Sequence, residues 1–252
     1  MPDFANDRPR YITDHLKELR RGLIRSLIVA AIGVGMAFWK SAFLFECLLK
    51  PFQSALSAFP ALAAQVHGLQ TLTPVEVFMI NMKLATVVGL VLASPFILRE
   101  IWVFSSPALK PNERSAIFMV FALGLFFFTA GLAFGYFVIV PLALRFLLSY
   151  NLDYQFIPQW TLQGYFNFVV NFLLVFGCVF ELPLVLAALV GIGVATPAFL
   201  SQKRKHAIIL IFILSAFIAP SADPITQTIV AVPLVILYEI GIWLSYLTIR
   251  KR

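Results

Sequence analysis

Apolar runs long enough to cross a bilayer follow one another along almost the whole chain, with only short polar connections between them. That pattern constrains the fold more than any single motif. A hydrocarbon core about 30 Å thick takes roughly 20 apolar residues in helical form. Runs of this kind stand at about residues 23–45, 74–104, 115–148, 164–192, 206–219 and 225–247. Only 12% of the 252 residues are charged, against about 25% in a soluble domain, and the deficit extends over the full length. The expected fold is all-α: a polytopic membrane protein of six transmembrane helices. It forms one integral membrane domain over 1–252, with no separate soluble domain and no internal repeat.

A net charge of +7 would suit nucleic acid, but the basic residues stand at the ends of apolar runs. They are read as topology, and no nucleic-acid partner is expected. One face collects Arg8, Arg10, Lys17, Arg20, Arg21, Arg25, Arg99, Lys110, Arg114, Lys203, Arg204, Lys205, Arg250, Lys251 and Arg252. The other holds Lys40, Lys50 and Arg145. By the positive-inside rule both termini are cytoplasmic, as is the Phe104–Arg114 connection, and the chain is a multi-pass protein of the inner (plasma) membrane. The polar N-terminus lacks the three-part pattern of a signal peptide, so the first apolar run is retained. Of the two cysteines, Cys178 lies inside an apolar run, and no disulfide framework is expected.

Local signals place the elements. Thr13 or Asp14 caps a helix in which Leu16, Leu19, Leu23 and Leu27 recur at helical spacing among charged residues, an amphipathic start to span one. Lys50–Leu72 reads as an outer loop with a helix-like patch, and Asn151–Gln163 as another. Pro74 suits the first turn of span two, and Pro95 is expected to kink it. Gly124, Gly131 and Gly135 are packing points on span three. On span four, Gly164, Asn167, Asn171, Cys178 and Glu181 form one polar stripe, and Pro183 should bend the helix beside Glu181. Span five has fourteen residues, ~21 Å of helix, short of the hydrocarbon core.

No enzyme signal is present. His15, His67 and His206 are isolated, and there is no metal-ligand cluster, nucleophile turn or phosphate loop. No cofactor is expected. The acids are few, so each is informative. Glu18 is either an i,i+3 partner of Arg21 or a binding carboxylate; Glu113 is either an early helical acid complementing the dipole or a second such carboxylate. Together they put two acids on an otherwise basic face, where a carboxylate pair can clamp guanidinium groups with bidentate bonds. Glu181, inside a span, is either a functional acid or a packing one. Asp223 reads as a turn former or N-cap, Gln227 as a polar group one turn along the same face, and Glu239 as a snorkelling acid.

Seven segments then resemble the TatC family of the twin-arginine protein translocase: HLKELRRGL (His15–Leu23), LLKPF (Leu48–Phe52), TPVEVFMINMK (Thr73–Lys83), SPFILREIWVFSSPALKPNER (Ser94–Arg114), FGYFVIVPLALRF (Phe134–Phe146), FGCVFELPLVL (Phe176–Leu186) and PSADPITQ (Pro220–Gln227). They occur in family order over nearly the whole chain. The resemblance implies a cupped six-helix bundle that recognises signal peptides with paired arginines on folded cargo. It implies TatA- and TatB-type single-span partners, self-association in the complex and transport driven by the proton-motive force. By motif position, Glu18 and Glu113 contact the signal's arginines, and Arg20 and Phe104 support that site. Pro51 belongs to the outer loop the family needs. Glu181 faces the concave surface within the membrane, and Gln227 lies where a partner helix docks. One departure stands out: Lys110 and Asn112 replace the Tyr and His of the family's P-x-L-Y-x-H-E-R segment, which bears on the residues preferred beside the arginine pair.

The expected function is therefore binding without bond chemistry: a signal-peptide receptor in the bilayer. The alternative from a different class is a proton-coupled secondary transporter using Glu181, which predicts small-molecule flux and often inverted repeats.

Overall fold

The computed structural model describes residues 12–66, 68–105, 111–218 and 223–249, and the side chains within them except at 12–16, 18, 61, 102, 105, 111–118, 248 and 249. The elements are α1 (Ile12–Trp39), α2 (Ser41–Leu56), α3 (Pro60–Ala63), α4 (Glu76–Ser105), α5 (Pro111–Phe134), a π-helical turn (Gly135–Ile139), α6 (Val140–Asp153), α7 (Leu162–Val179), α8 (Leu182–Gly191), α9 (Pro197–Gln202), α10 (Arg204–Ile218) and α11 (Pro224–Ile249). No strand occurs among the described residues. Five stretches are long and apolar enough to cross a membrane: Leu19–Trp39, Glu76–Ile101, Met119–Asp153, Leu162–Gly191 and Pro224–Leu247. The sixth helix, α10, has 15 residues, about 22 Å, which is the short fifth span expected from sequence. Large apolar side chains face outward along these helices, with Phe137, Phe217 and Trp243 each more than 70% exposed. That is the surface a bilayer covers.

The chain divides into two compact units. The first comprises 1–41 and 81–121, the second 42–80 and 122–252. In the first unit α1 packs against α4 with no side chain between the backbones. A Cβ on Gly33 would lie 2.7 Å from the Gly89 carbonyl oxygen, and one on Gly89 would lie 2.5 Å from the Val34 nitrogen. Farther along the same pair, a Cβ on Gly22 would touch the Glu100 carboxylate at 3.7 Å. Moving towards the start of α1 thus moves towards the end of α4, so the two helices run antiparallel. Small residues allow this approach where apolar burial gives helices no reason to associate.

The second unit holds a core of Val140, Leu144, Leu148, Val169, Phe172, Phe176, Val230, Leu234 and Ile242, all nearly or fully buried. Phe134 packs on Phe176 and Phe180, with ring centroids 5.9 and 5.3 Å apart. Gly241 on α11 fits against α8, where a Cβ would stand 2.6 Å from a Leu186 methyl.

Prolines account for two of the helix interruptions. Pro183 cannot donate to the Val179 carbonyl, and α7 ends at Val179 while α8 begins at Leu182, with Glu181 at its N-cap. The expected bend in span four is therefore a break. Pro141 stands in the first turn of α6, and the π turn just before it is closed by a bond from the Val140 N–H to the Gly135 carbonyl. The single helix expected over 115–148 is thus two helices joined by that turn, and it extends to Asp153. Pro95 leaves α4 continuous from Glu76 to Ser105. The carbonyl it would have bonded, Val91, takes the Ser94 hydroxyl at 2.7 Å instead. Span one also differs from expectation. Its helix ends at Trp39, and α2 carries helix through Pro51 to Leu56, so the segment from Lys50 is not loop throughout.

With the α1–α4 backbones this close, Gly33→Ala and Gly89→Ala each force them apart. Each is expected to cost about 1–3 kcal/mol, read as a lower thermal midpoint of the purified protein in detergent. Gly35→Ala, where a Cβ meets nothing within 4 Å, does not lower the midpoint.

Candidate functional site

The residues singled out in the sequence fall into separate groups. Arg20 and Phe104 belong to the first unit together with Glu18 and Glu113; Pro51, Glu181 and Gln227 belong to the second. The side chains of Glu18 and Glu113 lie outside the described residues, as do that of Asn112, all of Lys110 and the turn at 219–222. The backbone at Glu18 and at Glu113 lies within described helices. Glu18 stands one helical turn before Gly22 on α1, and Glu113 is the third residue of α5. Arg20 is exposed and Phe104, in the last turn of α4, is half-buried. The antiparallel α1–α4 pair brings the start of α1 and the end of α4 to one end of this unit.

At that end lies an acid not weighed from sequence. The Glu100 side chain is only 12% exposed, and its oxygens stand 3.8 Å from Arg25 Nη1 and 3.2 Å from Arg99 Nη1. The two guanidinium groups are largely solvated, at 67% and 68% exposure. In the linear sequence Glu100 looks like half of an adjacent Arg–Glu pair at a helix end. Only the register of α1 on α4 shows that it faces Gly22 and Arg25.

In the second unit, Glu181 sits at the α7–α8 break with its carboxylate 3.4 Å from where a Cβ on Gly124 would be. Gly124, read from sequence as a packing point, is the seat of that carboxylate. The polar stripe is present: Gly164, Asn167, Asn171 and Cys178 are exposed on α7, while Tyr165, Phe166, Val169, Phe172 and Phe176 fill the buried face. Gln227 donates its amide to the Phe212 carbonyl of α10 at 2.8 Å, which ties α10 to α11. Glu239 does more than snorkel. It takes two bonds of 2.9 Å from the Arg204 guanidinium, a bidentate pair linking the start of α10 to α11.

Pro51 acquires a physical role. Its missing N–H leaves the Cys47 carbonyl without a helical donor, and the Tyr136 hydroxyl donates to that oxygen at 2.5 Å. Next to it the Tyr165 hydroxyl donates to the Leu48 carbonyl at 2.6 Å, and Phe52 packs on Trp160 and Tyr165. The same region is closed by Glu76, 5% exposed. One carboxylate oxygen accepts from the Leu72 and Thr73 amides at 2.7 and 3.3 Å, and the other accepts from Gln163 N–H at 2.9 Å. Backbone bonds between Gln70 and Trp160 and between Leu162 and Gln70 complete the joint. The Thr73-Pro-Val-Glu76 spacing is that of a capping box, so the local half of this arrangement was readable in the sequence. The bond to Gln163 was not.

Three comparisons with known proteins bear on the chain as a whole. A family model described as Sec-independent protein translocase protein (TatC) matches residues 14–233. Among relatives of that description, one from Aquifex aeolicus is 39% identical over 96% of this chain and 97% of its own length. One from Carboxydothermus hydrogenoformans is 36% identical over 95% and 94%. Two crystal structures of the twin arginine translocase receptor TatC are also similar. The first has a TM-score of 0.73 at 38% identity, covering 93% of this chain and 99% of the other. The second, in DDM, has 0.74 at 39%, covering 92% and 99%.

Loss of the Glu76 carboxylate leaves three amide donors without their acceptor, at about 1–3 kcal/mol for each that stays buried. Glu76→Ala is therefore expected to speed hydrogen exchange at Leu72, Thr73 and Gln163 while sparing the α1–α4 seam. Unchanged exchange at those amides would show that the carboxylate holds nothing.

Proposed function

The chain belongs to the TatC family of Sec-independent protein translocase proteins, and on that premise we propose that it binds the twin-arginine signal peptides of folded proteins at the end of its first unit. The family is one of protein transport, and the chain is a translocase subunit in the membrane, not an enzyme. The observation that carries the finer reading is the antiparallel seam of α1 on α4, which puts the helix end bearing Glu18 and Arg20 beside the helix end bearing Phe104, with Glu113 following at the start of α5.

Two carboxylates so supported suit two guanidinium groups. Each forms short, charge-assisted and bidentate bonds with a planar fork. Phe104 offers an apolar and aromatic wall beside them. The apolar stretch that follows the arginines then enters the bilayer, and the exposed polar stripe of α7 leads to Glu181. TatA- and TatB-type subunits dock on the membrane-facing helices, with the α10–α11 surface at Gln227 as one contact and self-association as another. Transport is driven by the proton-motive force. The excess of basic residues on one set of connections supports cytoplasmic termini and an inner-membrane location. A helix interrupted at an intramembrane acid also fits a proton-coupled transporter, but a family of protein translocases gives Glu181 a place in cargo passage instead.

Crosslinking of a twin-arginine signal peptide in membranes, with probes beside positions 18 and 113, tests this reading. Glu18→Ala and Glu113→Ala are each expected to lower adduct yield about tenfold, the factor that ~1.4 kcal/mol of lost binding carries. Asp153→Ala should leave it unchanged. Adducts indifferent to both glutamate changes would return the two acids to ordinary helix-end charges.

A further inference from the structure

A receptor for a doubly positive peptide faces a difficulty in its own composition. Around the proposed site α1 carries Lys17, Arg20, Arg21 and Arg25, and α4 carries Arg99. Together they raise the positive potential that the incoming arginines meet. Arg25 lies seven residues from Glu18, on the same face of α1 at ~10 Å of rise. An extended arginine side chain spans most of that distance.

Glu100 is the only acid in this unit among the described side chains, and its surroundings are unusual for a surface charge. It is nearly enclosed, while both its partners are solvated. On the α1 side Gly22 faces it, and a Cβ there would lie 3.7 Å from one carboxylate oxygen. Arg25 approaches from α1 and Arg99 from α4, one on each side of the seam. One enclosed negative charge thus pairs with two solvated positive ones at the line where the helices meet.

We propose that Glu100 is a positioning residue for arginine recognition. It draws the guanidiniums of Arg25 and Arg99 back to the α1–α4 seam and so keeps the receptor's own arginines from competing with the peptide's for Glu18 and Glu113. The inference rests on the proposed signal-peptide site and adds to it the residue that sets its electrostatic balance. Glu100 does not touch the peptide; it acts through the two arginines. Its effect is electrostatic and falls with salt, because the Debye length shrinks from about 10 Å at 0.1 M to about 3 Å at 1 M.

The test is equilibrium binding of a fluorescent twin-arginine signal peptide to the full-length protein in lipid nanodiscs, at low and high salt. Glu100→Gln, which keeps shape and removes charge, is expected to weaken binding about tenfold at 0.1 M salt and much less at 1 M. Adding Arg25→Gln and Arg99→Gln to it should recover most of the loss, which a role in packing alone would not allow. The R25Q/R99Q variant on its own should bind at least as tightly as wild type, and this arm decides the matter even if Glu100→Gln fails to fold. Binding by Glu100→Gln equal to wild type, a loss that the arginine changes do not recover, or a tenfold fall in R25Q/R99Q would each overturn the proposal. Glu18→Ala and Glu113→Ala run alongside. If they lose binding while Glu100→Gln does not, only this inference fails; if they bind as wild type, the site itself fails with it.

Discussion

A backbone polar group in hydrocarbon must find its partner within the protein, and this one requirement accounts for much of the structure. Helices satisfy it everywhere except at proline, where a carbonyl is released four residues earlier. This chain answers the problem differently at each place. The Ser94 hydroxyl takes the Val91 carbonyl and lets α4 run on through Pro95. The Tyr136 hydroxyl, 89 residues away in sequence, takes the Cys47 carbonyl released by Pro51. A π turn precedes Pro141, and Pro183 divides α7 from α8. The last interruption sets Glu181 at a helix start and not within a helix, with Gly124 giving its carboxylate room.

The same economy governs association. Apolar burial does not drive helices together in a bilayer, so close packing and polar bonds must. In the first unit the contact of Gly33 with Gly89 supplies the packing, and an ion pair of 3.8 Å between Arg25 and Glu100 spans the two helices. In the second, Gly241 lets α11 approach α8, while Gln227 and the Arg204–Glu239 pair tie α10 to α11. The short α10 cannot span the core alone, and its ties to α11 are what give it a fixed place.

The spans were legible in the sequence because their signal is local. A run of apolar residues, a proline and a polar end are each readable without knowing the fold. A disturbance beside Glu181 was legible from Pro183 for that reason, as a bend where the structure has a break, and so was the shortness of the fifth span. What could not be read depends on register between distant segments. Glu76 joins Leu72 and Thr73 to Gln163, 87 residues on, and no local signal announces that distant partner. Glu100 gave no sign of its enclosure, because Gly22 and Arg25 meet it only when Gly33 has found Gly89. The proposed carboxylate pair at Glu18 and Glu113 came from motif position, not from any periodicity or spacing in the chain.

The central claim is that this face reads the geometry of arginine and not merely positive charge. Lysine and arginine signals carry equal charge, but only the guanidinium forms the planar fork. The most direct measurement compares the affinity of a twin-arginine peptide with that of its twin-lysine counterpart across a salt series, on the protein in nanodiscs. The account predicts that both weaken as salt rises while the preference for arginine persists at 1 M, where long-range attraction is screened out. Equal affinities that fade together would contradict it, and would leave a basic peptide held by diffuse charge alone.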